Sequence, residues 1–324
     1  MVRILPISDP GSLNAAIELL RRGEPVAIPT ETVYGLAADA TNPAAITSIY
    51  EAKGRPLFNP LIAHVSDLEM ARAHVTLSAL AERLAAAFWP GPLTLVLPLR
   101  ETGQIHPLAT AGLATAAVRM PEGYARELIA AFGRPLAAPS ANRSGRISPT
   151  SAQHVADDLG DRIKLVLDGG RCRVGVESTI LAVTDTGLRL LRPGGIPVEA
   201  IEEVAGMPVE RSPGQSGNHG IIAPGMLASH YAPDTTLRLN ADEARPGEAV
   251  IRFGGVPLKG EDQAKTIMDL SPSGDLREAA ANLFDMLKFA DAAGAAGIAV
   301  AAVPGHGLGE AINDRLNRAA APRD

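Results

Sequence analysis

Alternation is the strongest constraint this chain places on its own fold. Over residues 1–205 short apolar runs recur between helical patterns, as an α/β domain with a twisted mixed sheet and flanking helices requires. Ser12 to Arg22 has helical spacing and stops at Gly23, and Val26 to Ile28 is an apolar run leading into hydroxyls. Asn42 is placed to cap the next helix, with Pro43 at its first position and Ile46, Ile49 and Tyr50 on one face. Pro60 to Val65 reads as a strand, and Ser66-Asp67-Leu68-Glu69 as a capping box for the helix after it. Further strands are expected at Leu93 to Leu97, Ala116 to Arg119, Leu136 to Ala138, Leu165 to Leu167 and Thr179 to Val183. Polar motifs fall at or just beyond these runs, where open α/β sheets hold ligands.

The periodicity stops over residues 206–235, where Pro213, Gly214, Gly217, Gly220, Pro224 and Gly225 accumulate as in a linker. Residues 236–324 then suit a smaller, Rossmann-like β/α domain: a strand at Glu248 to Phe253, a helix at Asp275 to Asp291 with Leu276, Ala280, Leu283 and Leu287 inward, a strand at Gly297 to Val303 and a helix at Gly309 to Ala320. The chain's 324 residues are comfortable for two cores. The linker can be a tether or a loop laid over the first domain; Ile221, Ile222, Met226, Leu227 and Tyr231 are apolar for a solvated tether.

A net charge of −6 gives no general attraction to nucleic acid, so stable RNA binding is not expected. The lone Cys172 can form neither an intrachain disulfide nor a zinc module, which fits a reducing, cytoplasmic setting. Met1 to Pro10 lacks a leader pattern, and no later run is long and apolar enough for a membrane span.

The most informative polar stretch is Lys53-Gly54-Arg55-Pro56, followed by Asn59-Pro60-Leu61-Ile62. Lys53 offers a mobile point charge, Arg55 a planar fork, and Gly54 close backbone approach, the parts of a loop that holds phosphate. The same triplet also serves as a basic turn closing a helix.

Thr30-Glu31-Thr32-Val33-Tyr34-Gly35-Leu36, Glu51-Ala52-Lys53-Gly54-Arg55-Pro56 and Asn59-Pro60-Leu61-Ile62 together resemble the signature of the YrdC-like L-threonylcarbamoyladenylate synthases. Ala117-Val118-Arg119-Met120-Pro121, Pro139-Ser140-Ala141-Asn142, Ser148-Pro149-Thr150, Glu177-Ser178-Thr179-Ile180 and Leu191-Arg192-Pro193-Gly194 continue the likeness in order. Pro224-Gly225-Met226 and His230-Tyr231-Ala232-Pro233 mark the long, two-domain form. Two stretches depart from the family pattern, Leu57-Phe58 and Leu227-Ala228-Ser229, neither touching an expected ligand residue.

The resemblance implies an enzyme that joins L-threonine, bicarbonate and ATP into threonylcarbamoyl-AMP and pyrophosphate, with a downstream enzyme transferring the product to tRNA. Such a reaction needs charge neutralisation, alignment of two anions and exclusion of water rather than a protein nucleophile. Lys53 and Arg55 are implied as catalytic cations, with Arg192 a third. Thr32, His64, Arg119, Ala138 and Ser178 are implied for threonine, and Arg55, Asn59, Thr115, Ser140, Ser148, Arg192 and Tyr231 for ATP, with Asn142 less firmly matched. Mg2+ would arrive with the nucleotide, without a protein metal site, and the linker would be a lid. Each residue has a structural competitor: His64 as a core histidine, the serines as caps or turn residues, Arg119 and Arg192 as strand-end ion pairs. Tyr34 reads as core and Cys172 as inert.

An RNA-binding, translation-associated module would use a basic patch around Lys53, Arg55, Arg143 and Arg146. A carbamoyl-transferring hydrogenase-maturation protein shares a similar domain but needs cysteine-rich zinc modules. No phosphate-binding Gly-x-x-x-x-Gly-Lys-Ser/Thr loop and no Gly-x-Ser-x-Gly elbow occur.

Overall fold

The computed structural model describes residues 2–184, 186–211 and 230–322. Among them, eleven strands form one mixed sheet in the order Arg3–Pro6, Leu165–Asp168, Val26–Ile28, Gly35–Asp39, Leu136–Ala137, Ile62–His64, Thr115–Arg119, Leu93–Pro98, Thr179–Thr184, Gly187–Arg192 and Val209–Arg211. Four more, Leu237–Arg238, Ile298–Val300, Ala249–Arg252 and Thr266–Asp269 in that order, make an all-parallel second sheet. It carries the helices Leu276–Ala292 and Leu308–Ala320. The expected lid residues Ile221, Ile222, Met226 and Leu227 lie outside the described residues.

Register places the functional motifs. Ile62–His64 runs parallel to Thr115–Arg119 with His64 opposite Arg119, and Leu136–Ala137 runs antiparallel on its other side with Leu136 opposite His64. Leu93–Pro98 brings in Thr179–Thr184 as a parallel neighbour, so Ser178 arrives at the same sheet end. The helix Pro43–Lys53 is capped by Asn42, whose Oδ1 accepts from the Ala44 amide at 2.9 Å. It stops at Gly54, whose φ of 60° is a left-handed conformation suited to glycine. That turn delivers Arg55.

The Ser66 capping box is a misreading: the N-cap is Asp67, whose Oδ1 accepts from the Met70 amide at 2.7 Å while the Ser66 hydroxyl donates to Asp67 Oδ2. An ionised carboxylate is the stronger acceptor for a helix's first amides, so the serine supports the cap rather than forming it. Gly35–Asp39 is a strand the sequence reading passes over. Its small residues are buried on both faces and so show no alternation.

One apolar cluster crosses between the halves. Val33, Ile147 and Val176 of the larger sheet's domain pack with Tyr231 and with Leu283, Phe284, Leu287, Ile312 and Leu316 of the smaller one. The two halves therefore share part of a core.

Candidate active site

Thr32, His64, Arg119, Ala138 and Ser178, the residues expected around threonine, all line one narrow cavity of about 50 Å³. Arg55, Ser140, Arg192 and Tyr231 of the nucleotide set line it too, together with Glu177 and His230. The cavity lies where the Ile62–His64 and Thr115–Arg119 strands end beside the loop 139–142.

Arg119 is held at three points. Its Nη2 donates to Glu31 Oε1 at 2.5 Å, Nη1 to Thr32 Oγ1 at 3.0 Å and Nε to the Gly91 carbonyl at 3.2 Å. Both partners of the Arg119–Glu31 pair are buried, and the second Glu31 oxygen accepts from the Glu122 amide. Beside it, His64 Nδ1 lies 3.2 Å from the Ile62 carbonyl. Burial, then the charge of Arg119, pushes the His64 pKa down to about 3, so the ring is neutral at physiological pH.

Arg55 donates through Nη2 to the Pro60 carbonyl at 2.9 Å and through Nε to the Asn59 carbonyl at 3.3 Å. Burial pushes its pKa down to about 10, which still leaves it charged at neutral pH. Arg192 donates to the Ser178 carbonyl at 2.9 Å, and the Ser178 hydroxyl meets Thr94 Oγ1 at 2.7 Å. Three buried guanidinium groups thus face a small space, with His64 the neutral member beside them. The arrangement suits anions.

Lys53 is placed differently from the expectation that it faces phosphate. Its Nζ donates to the Ser140 and Asn142 carbonyls, both at 2.5 Å, and it does not line the cavity. Burial and the neighbouring Arg55 charge hold its pKa well below the usual lysine value. Here the ammonium ties down the loop that carries Ser140. Ser148 also stands behind the lining, its hydroxyl donating to Glu177 Oε1 at 2.5 Å. Thr115 begins the strand that ends at Arg119 and is not brought to the cavity. Asn59 is fully buried behind Arg55.

Sequence reasoning assigns no role to Glu31, Glu177, His230 or Arg315. Glu31, Glu177 and His230 sit inside quoted motifs, beside Thr32, Ser178 and Tyr231, and a polar residue next to an expected ligand residue was the available signal. Arg315 belongs to the Leu308–Ala320 helix, and its Nε donates to Glu177 Oε2 at 2.8 Å. Among the described residues, buried polar atoms without a partner fall on Asn59, Asn142, His230, Arg252 and Arg315, and all but Arg252 belong to residues in or directly behind this site. Such atoms are costly unless a ligand or water completes them.

A wider cleft of about 860 Å³ lies elsewhere, between the 146–158 region and the Leu276–Ala292 helix. Its lining carries none of the motif residues expected to bind ligand, and its charges largely satisfy each other: Arg146 pairs with Asp234, and Asp285 with Arg171 and Thr150. The basic patch of the RNA-binding rival does not form. Lys53 and Arg55 are buried, Arg143 pairs with Asp158 and Asp161, and Arg146 with Asp234. Among the described residues no group of three or more His, Cys, Asp or Glu side chains could hold a metal ion, and Glu177, the one carboxylate lining the cavity, is occupied by Arg315 and Ser148. The cavity's own donor set therefore does not fit a protein-held Mg2+. No helix of the described residues is long and apolar enough to cross a membrane.

Comparisons with known proteins agree with this geometry. A family model described as telomere recombination (Sua5, YciO and YrdC) matches residues 18–194, and one for the C-terminal domain of threonylcarbamoyl-AMP synthase matches residues 196–321. The threonylcarbamoyl-AMP synthase of Bacillus subtilis is 42% identical, covering 98% of this chain and 95% of that protein. Its counterpart from Pyrococcus abyssi is also 42% identical, over 96% and 94%. The crystal structure of P. abyssi Sua5 complexed with L-threonine superposes with a TM-score of 0.88 at 38% identity, covering 99% of this chain and 97% of that one. By sequence, by fold and by the residues gathered around one cationic cavity, the chain belongs to the two-domain threonylcarbamoyl-AMP synthase family.

Proposed function

We propose that this protein is a threonylcarbamoyl-AMP synthase that joins L-threonine, bicarbonate and ATP, releasing pyrophosphate, and so supplies threonylcarbamoyl groups to a downstream tRNA-modifying transferase. The observation that carries this reading is the gathering of Arg119, Thr32, His64, Ala138 and Ser178 at one sheet end, in a chain that superposes over nearly its full length on a relative crystallised with L-threonine.

In this reading threonine's carboxylate takes the fork of Arg119, oriented by Glu31, and its polar groups meet Thr32 and Ser178. The neutral ring of His64 adds no competing charge beside the amine that must capture bicarbonate or CO2. The carbamate oxygen then attacks the α-phosphate and pyrophosphate leaves. Arg55 and Arg192 neutralise the charge that develops, in a water-poor site where fixed cations act strongly. Lys53 acts through the loop it anchors. Mg2+ would arrive with the nucleotide and would add charge neutralisation to that of Arg55 and Arg192.

The cavity is smaller than the ~300–1,000 Å³ usual for ligand sites, so admitting a nucleotide requires it to widen. A cytoplasmic location, suggested by the lone buried Cys172, stays part of the proposal. The test is pyrophosphate release with ATP, L-threonine and bicarbonate, each omitted in turn. Release that requires all three supports the reading, and release indifferent to threonine overturns it.

A further inference from the structure

Arg315 is the largest fully buried side chain among the described residues, and it is a cation from the C-terminal half placed against the active site of the N-terminal half. Its Nε donates to Glu177 Oε2 at 2.8 Å, and its Nη1 donates to the Pro193 carbonyl at 2.9 Å, next to Arg192, and to Asp314 at 2.7 Å. The guanidinium stands 5.2 Å from the centre of the Tyr231 ring, which also meets His230 edge-on at 4.1 Å and stacks on Phe284 at 5.5 Å. Glu177 in turn lines the cavity and accepts the Ser148 hydroxyl through its other oxygen. One buried carboxylate therefore joins a nucleotide-side serine, the cavity wall and the second domain.

A lone carboxylate here would be doubly unfavourable, because burial penalises its charge and a triphosphate entering the cavity would repel it. We propose that Arg315 is a positioning residue for the synthesis, supplied by the C-terminal domain, which compensates Glu177 and braces Tyr231 so that the part of the cavity wall these two residues form is set for the nucleotide. This rests on the reading that the cavity takes ATP. The catalytic half is incomplete by itself for a chemical reason, beyond the loss of packing.

The charges around Glu177 support the assignment. Burial alone would raise its pKa, and Arg315 first, then Arg192 and the Ser148 hydrogen bond, overcome this and hold it at about 2. Lys53, His230, Tyr231 and Asp314 complete the titratable groups around the pair. With Arg315 removed, Glu177 takes up a proton at higher pH, and because the neutral acid no longer repels phosphate, the defect eases as pH falls.

The experiment compares the full-length protein with Arg315→Met, Arg315→Lys and the double variant Arg315→Met/Glu177→Gln in the threonine-dependent pyrophosphate assay. Arg315→Met is expected to raise the KM for ATP at least roughly tenfold at neutral pH while the KM for threonine changes less than about threefold, with the ATP defect easing toward lower pH. Arg315→Lys should recover part of the loss. The double variant should recover more than the single one, since a neutral amide in place of the Glu177 carboxylate needs no counter-charge and repels no phosphate. Equal losses for both substrates, an ATP defect that does not ease with falling pH, or a double variant no better than Arg315→Met would overturn the proposal and leave Arg315 as interdomain packing. Should Arg315→Met not fold, the double variant decides by the same KM ratio. A wild-type protein without threonine-dependent turnover would instead sink the functional reading itself.

Discussion

Two buried arginine–carboxylate pairs stand at the cavity, and the contrast between them shows how the site is divided. Arg119–Glu31 lies within the first domain, fixed by the sheet register that also sets His64 beside Arg119. Arg315–Glu177 bridges the two halves and depends on their shared apolar core. Removing one partner of either pair strands a buried charge, whereas surface pairs such as Arg22–Glu18 contribute little. On the proposed reading, the side expected for threonine is built by one domain and fixed by its strands, and the side expected for the nucleotide also draws on the second domain.

The largest effect should come from the cation both sides face. Arg55→Ala is expected to lower kcat about 10²–10³-fold, the scale of losing one preorganised charge donor at the reacting phosphate. Pyrophosphate release near the wild-type rate would remove Arg55 from the phosphate role. Next, Arg119→Ala should weaken threonine binding by at least roughly tenfold in calorimetry and ATP binding far less. Glu31→Gln should follow in the same direction with a smaller effect, because Arg119 keeps its contacts to Thr32 and Gly91. The opposite substrate ranking would break the division of the cavity.

Lys53→Met should act mainly on the loop it anchors. Stranding two buried carbonyls costs about 1–3 kcal/mol each at most, so the melting temperature should drop by several degrees with a moderate loss of turnover. Unchanged stability with turnover abolished would return Lys53 to the phosphate.

The smallest effect is a pH dependence of stability. Burial lowers His64 and His230 to about 3 and His154 to about 4, below the ordinary value of 6.5. The unfolded chain therefore binds these protons first. The stabilisation is complete above about 6.5 and is lost progressively as pH falls toward the folded values. Between pH 7 and 5, above the ordinary glutamate range, urea midpoints should already decline, and less steeply in His64→Asn. A flat profile over that window would contradict the burial of neutral histidines.

The residues implied for threonine gather in one cavity because they sit at or beside the ends of apolar strands, but the runs alone leave His64, Arg119 and Ser178 open to core, cap or ion-pair roles, and only the family resemblance singles them out. The anchoring role of Lys53 was not legible, since nothing in Lys53-Gly54-Arg55 says that the ammonium turns to carbonyls 87 and 89 residues away. Arg315 was illegible for a related reason. A charged residue in a polar helix looks solvent-facing until tertiary packing covers it, and its carboxylate partner lies 138 positions earlier. The Gly35–Asp39 strand and the Asp67 cap were lost to burial on both faces and to a stronger neighbouring acceptor.

A crystal structure of the full-length protein with L-threonine and a non-hydrolysable ATP analogue tests the central claim most directly. The account predicts threonine's carboxylate within hydrogen-bond distance of Arg119 and the phosphates between Arg55 and Arg192, with Tyr231 on the nucleotide's side. A nucleotide bound instead in the wide cleft beside Asp285, with the arginine-lined cavity unchanged, would contradict it.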